Sequence, residues 1–143
     1  MHLRPGLDLS FEDNPSPHED DFIGKALGAY SAPFLRDPSY AHFGLFVRSD
    51  TREIHAGLIA HVYAGWLLIK YLWVQADLRR GGVGSALIAA AEQHAREFGC
   101  HSAWVDTFSF QAPWFYPKFG YREFARLDYP PDHQRIFFQK RLT

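Results

Sequence analysis

From Val74 to Ser85 the chain reads V-Q-A-D-L-R-R-G-G-V-G-S, placed between an apolar run that begins at Trp66 and a segment with helical periodicity. No other stretch limits the fold as much, because a strand must here turn through glycine into the start of a helix. The first turn of a helix leaves backbone N–H groups without intrahelical partners, and the helix dipole favours negative charge beside them. Such a loop suits an anion such as a pyrophosphate. Gly81, Gly82 and Gly84 let the backbone come close, and Arg79 and Arg80 add positive charge. The same pattern also serves as a tight strand-to-helix turn in which glycine only relieves sterics.

Periodicity places the other elements around this loop. Leu7 to Phe11 alternates apolar and polar residues, as a short first strand would. Ser16, Pro17 and Glu19 form a helix start with a capping box, followed by Phe22, Ile23, Ala26, Leu27 and Tyr30 at helical spacing. Pro33 and Pro38 break that helix. Phe43 to Val47, Ile54 to Tyr63 and Trp66 to Val74 read as three antiparallel strands, the last two joined by a hairpin at Ala64-Gly65. A long helix is expected from Val83 to Phe98, with Val83, Leu87, Ala91, Ala95 and Phe98 on its buried side and Gly99 as C-cap. Ser102 to Phe108 is a strand, Ala112 to Phe119 a short helix, and Tyr121 to Leu127 and Arg135 to Leu142 two last strands. The predicted class is α/β in the α+β sense, with a mixed, mostly antiparallel sheet.

At 143 residues the chain is expected to form one domain, residues 1–143, with no internal repeat or linker. Fifteen basic against sixteen acidic residues leave a net charge of −1, without the basic excess of a nucleic-acid binder. Cys100 has no second cysteine to pair with, and neither the opening M-H-L-R-P nor any later run reads as a signal or membrane segment. A soluble, cytoplasmic protein that does not engage membranes is expected.

Several folds own glycine-rich strand-to-helix loops. No G-x-x-x-x-G-K-[S/T] string occurs, which removes the P-loop. Gly82-x-Gly84 followed by Asp106 at the next strand's end superficially fits a dinucleotide fingerprint. Leu87 stands where the third glycine belongs, the loop between Val74 and Gly82 is too long, and the chain is too short for a second half-sheet. What remains is V-x-x-x-x-R-x-x-G-x-G, carried by Val74, Arg79, Gly82 and Gly84, with F-Y-P-K-F-G-Y from Phe115 to Tyr121 downstream. This pair of motifs resembles the acetyl-CoA motif and the L-Y-x-x-x-G-F signature of the GNAT superfamily of N-acetyltransferases. D-T-F-S-F-Q-A-P-W-F-Y (Asp106 to Tyr116) and D-Y-P-P-D-H (Asp128 to His133) resemble a bacterial subgroup of it.

The resemblance implies a sheet of about seven strands flanked by helices and splayed between the fourth and fifth strands, here Trp66–Val74 and Ser102–Phe108. It implies acetyl-CoA as co-substrate. Val74 and Ala76 would offer main-chain partners to pantetheine, while Arg79, Arg80, Gly81, Gly82, Val83, Gly84 and Ser85 would line the pyrophosphate. Tyr116 would be the acid at the thiolate end. Ser109 stands where relatives often carry a CoA-contacting Asn, with Gln111 close by. No carboxylate lies in Trp66–Val74, so Asp106 and His61 are the candidates for a base, alongside a water chain with no dedicated side chain. The eight histidines show no metal-ligand spacing, and no metal is expected. The aromatic group around Phe108, Phe110, Trp114, Phe115 and Tyr116 either walls an acceptor pocket or belongs to the core. The implied partner is an amine of a small molecule, ahead of a peptide, with a homodimer within the family's range. A CoA-binding regulatory module that has lost turnover is the alternative.

Overall fold

The computed structural model describes residues 2–143 and divides into two compact units, one ending at Arg36 and the other beginning at Asp37. The first unit holds helix α1, Pro17–Ser31. Its start follows the sequence: the Ser16 hydroxyl accepts the Glu19 N–H at 3.2 Å, and the Glu19 carboxylate accepts the Ser16 N–H at 3.0 Å. Such a reciprocal cap satisfies two donors that the helix itself cannot. Leu7–Phe11 is not a strand, contrary to expectation. Alternation makes one face apolar, but a strand also needs a neighbour for its backbone groups, and this segment pairs with none among the described residues.

The second unit is a six-stranded sheet with one long helix over it. Its elements are β1 (Tyr40–Arg48), β2 (Ile54–Tyr63), β3 (Trp66–Val74), α2 (Val83–Phe98), β4 (Ser102–Phe108), β5 (Arg122–Tyr129) and β6 (His133–Arg141). The strand order is β1-β2-β3-β4-β6-β5. Every neighbouring pair is antiparallel except β3 and β4. A parallel pair needs a crossover, and α2 supplies it. Six strands rather than seven are present among the described residues.

The β2–β3 hairpin turns at Ala64 and Gly65, with φ of 51° and 84°. Two successive positive-φ residues match the twist of the flanking strands, so even the alanine is held there. A Cβ on Gly65 would lie 2.9 Å from the His101 ring, so the turn also needs a bare backbone at that point.

The core lies between the sheet and α2. Leu58, Val62, Leu67, Ile69 and Ile88 are its largest fully buried side chains, each contributing about 1.5–3 kcal/mol by removal from water. Ala56, Ala60, Ala91, Ala95 and Ala103 are fully buried as well, and their small size lets the helix come close to β2 and β3. Phe98, expected on the buried side, is 36% exposed at the last position of α2. The helix expected at Ala112–Phe119 is only a 3-10 turn over Tyr116–Phe119. Pro113 and Pro117 each remove an N–H that a regular helix would use. No helix among the described residues is long and apolar enough to cross a membrane.

Candidate active site

The glycine loop opens with a 3-10 turn at Ala76–Leu78, in which the Ala76 carbonyl accepts the Arg79 N–H at 3.3 Å. Arg80 and Gly82 then take positive φ, 65° and 85°, and Gly82 becomes the N-cap of α2. Its bare Cα faces open space, where a Cβ would meet nothing within 4 Å. No side chain caps the helix and no acidic residue lies in its first turn. The first intrahelical bond runs from the Ala86 N–H to the Gly82 carbonyl. The N–H groups of Val83, Gly84 and Ser85 therefore have no acceptor in the helix, and the positive end of the dipole adds to them. Gly84 serves another purpose: a Cβ there would lie 3.1 Å from the Phe115 ring and 3.9 Å from Val74. It is glycine for packing, not for access. The Arg79 Nε donates to the Val74 carbonyl at 2.9 Å, which folds the side chain back along the strand end.

Sheet geometry adds a feature that the sequence does not reveal. In β3 the register against β2 shifts between Ile69 and Tyr71, leaving Lys70 as an extra residue. Before this bulge Leu67 and Ile69 face the core, and after it Leu72 and Val74 do. The run is almost wholly apolar, so no change of alternation marks the bulge. Pairing of β3 with β4 ends at the same place, covering Trp66 to Ile69 against Ser102 to Val105. The Gln75 N–H bonds to the His55 carbonyl on β2. Strand alternation then turns the N–H and C=O groups of Leu72 and Val74 away from β2, to the side of β4.

Tyr116 is 7% exposed and packs against Phe115, Tyr121 and Phe138, with ring centroids 5.4, 6.0 and 5.8 Å away. Its hydroxyl has no hydrogen-bond partner among the described residues and is not sealed from solvent. Burial, then the nearby Asp106 charge, pushes that hydroxyl up to about 12. Asp106 itself is bound by the Arg135 Nε at 2.8 Å. His61 lies on β2, with β3 between it and Asp106. Burial, followed by His42 and Lys70, holds its imidazole below the usual histidine value. The three catalytic candidates thus stand on separate elements, with no direct hydrogen bond between them among the described residues. The Ser109 hydroxyl accepts the Gln134 N–H at 3.0 Å, and the Gln111 side-chain oxygen accepts the Phe108 N–H at 2.8 Å. Both side chains brace the loop after β4.

Behind Tyr116 lies a charged group that sequence reading passed over. Glu92 on α2 is 5% exposed and accepts from the Tyr121 hydroxyl at 2.8 Å and from Lys140 at 2.8 and 3.0 Å. Its one sequence signal is position, four residues after the buried Ile88 on the same helix face.

A model of the acetyltransferase (GNAT) family matches residues 7–121. The chain belongs to that family. Among its relatives is a blasticidin-S acetyltransferase of Streptomyces morookaense, 46% identical over 91 residues that span 62% of this chain and 67% of that protein. An acetyltransferase of Agrobacterium fabrum is 30% identical over 121 residues, covering 85% of this chain and 88% of the relative. The crystal structure of an acetyltransferase from Bacillus cereus superposes with a TM-score of 0.78 at 34% identity, over 92% of this chain and 97% of that one. The six-stranded sheet with its two helices is accordingly a GNAT fold, and GNAT acetyltransferases draw the acetyl group from acetyl-CoA. Among the described residues no three His, Cys, Asp or Glu side chains cluster as a metal site would.

Proposed function

We propose that this enzyme transfers the acetyl group of acetyl-CoA to a primary amine of a small molecule, working as one domain over the whole chain. The observation that carries the reading is a coincidence of place. β3 parts from β4 after Ile69, and at that same end the uncapped first turn of α2 begins. An open strand edge suits the amides of pantetheine, and an open helix start suits a pyrophosphate. Leu72 would hold the pantetheine arm through its N–H and C=O, and Val74 through its N–H, its carbonyl being bound by Arg79. Val83, Gly84 and Ser85 would hold the pyrophosphate through their N–H groups, with Arg79 and Arg80 beside it. Ala76 is a weaker partner than its sequence position implies, because its carbonyl already closes the 3-10 turn. Ser109 and Gln111, both engaged in bracing, would act on the site through the loop they hold.

When bound, acetyl-CoA supplies an activated acetyl group that the amine takes by direct attack in a ternary complex. The Tyr116 hydroxyl, with a proton held up to about 12 and no competing partner, would be the acid at the thiol end. Asp106, a carboxylate ion-paired with Arg135, would serve less as a base than as a negative charge that helps keep the Tyr116 proton on. His61, kept neutral by burial, can accept a proton and would reach the amine through water. The small-molecule acceptor follows the name of the 46% identical relative, a blasticidin-S acetyltransferase. The match to the family model runs across the boundary at Arg36, which supports a single domain.

Thiol release from acetyl-CoA against a panel of amines tests this reading. Amine-dependent release is expected, with Tyr116→Phe lowering kcat about a hundredfold and leaving the acetyl-CoA KM nearly unchanged. Binding of acetyl-CoA with no release on any amine class would favour a regulatory module instead.

A further inference from the structure

Phe108 ends β4, and Phe110 follows it in the loop toward Tyr116. Their rings stack with centroids 5.2 Å apart and planes 15° from parallel. Tyr129 meets Phe108 edge-on at 5.0 Å, and His133 meets Phe110 edge-on at 4.9 Å. Phe110 is nevertheless 61% exposed. Its position is fixed from both sides in the chain. The Ser109 N–H bonds to the Gln134 carbonyl at 2.8 Å, and the Gln111 oxygen accepts from both Phe108 and Thr107. A large apolar ring that is rigidly held yet left open to water contributes little to the core.

Its place is close to the chemistry. Phe108 shares a face of β4 with Asp106, two residues earlier, beyond the point where β4 stops pairing with β3. Asp106 is paired through Oδ1 with Arg135, whose positive charge offsets the carboxylate's pull on a cationic chain, so ring faces carry the recognition. A third flat ring laid on the open side of Phe110 would continue the existing stack.

Resting on the acetyltransferase reading, we propose that Phe110 is the acceptor subsite for a planar, π-bearing group, which stacks on it while the substrate's amine reaches toward the gap between β3 and β4. A flat acceptor is then preferred over a saturated one of the same size. Generic apolar burial would give the opposite order, since a saturated ring is the more hydrophobic of the two.

The test is calorimetric binding of 2-phenylethylamine and 2-cyclohexylethylamine to the full chain saturated with CoA, which has no acetyl group to transfer. About tenfold tighter binding of the phenyl amine is expected, on the order of what aromatic stacking provides. Phe110→Leu, at an exposed position, should erase that difference while acetyl-CoA affinity is retained. Equal binding, tighter binding of the cyclohexyl amine, no binding of either, or a preference that survives Phe110→Leu would each overturn the subsite. Thiol release is followed separately with acetyl-CoA. A phenyl preference with no release on any amine of the panel keeps Phe110 as a stacking site for flat ligands and overturns the acetyltransferase reading, whereas release without the preference does the reverse.

Discussion

Tyr116 combines two properties that rarely meet in one side chain: a ring packed on three sides by aromatics and a hydroxyl with no protein partner. A raised hydroxyl value has a consequence for stability. The folded state holds this proton up to about 12, against 10.0 for an ordinary tyrosine. The stabilisation is therefore fully present below pH ~10 and is lost as pH rises through about 12, on the order of 2–3 kcal/mol in all. Urea denaturation between pH 9 and 12 should show the decline, to which the Tyr121 hydroxyl, also pushed up by burial and by Glu92, adds its own share. Tyr116→Phe should make the decline shallower while changing little at pH 7. Glu92 gives a contrasting case. Removing one partner of a buried ion pair leaves the other uncompensated, so Glu92→Ala should cost about 3–5 kcal/mol by urea denaturation. Tyr116 was legible because its motif has fixed spacing. Glu92 was not, because Tyr121 and Lys140 lie 29 and 48 residues away in the chain.

At the scale of elements, the two glycines that open α2 do different work, and substitution should separate them. Gly82→Ala adds a Cβ into open space and forces alanine into a left-handed conformation. It should cost about 1 kcal/mol of stability and weaken acetyl-CoA binding several-fold. Gly84→Ala presses instead on Phe115, which packs against Tyr116. It should lower kcat more than acetyl-CoA affinity, as steady-state kinetics beside calorimetry would show. The helix, its Gly99 stop and the β2–β3 hairpin were all readable, since periodicity and turn residues are local signals. The bulge at Lys70 was hidden because W-L-L-I-K-Y-L-W-V is apolar on both faces. Leu7–Phe11 misled for the opposite reason, showing alternation with no strand to pair against.

For the whole molecule, the place proposed for the donor follows from topology more than from any single side chain. A parallel pair at the centre of the sheet, joined by a helix that starts at one end of the gap, puts an open edge and an uncapped helix start side by side. Binding there should stabilise the fold by about 2.7 kcal/mol at a hundred times Kd, visible as a concentration-dependent rise in Tm. The family's motifs made this centre legible, whereas the acceptor side depends on loop contacts such as Ser109 to Gln134 that no local pattern encodes. The most direct measurement is an amide-resolved NMR titration with acetyl-CoA. The largest shifts and the strongest slowing of hydrogen exchange should fall on Leu72, Val74, Val83, Gly84 and Ser85. Saturable binding that left those amides unchanged would place the donor elsewhere and contradict the account.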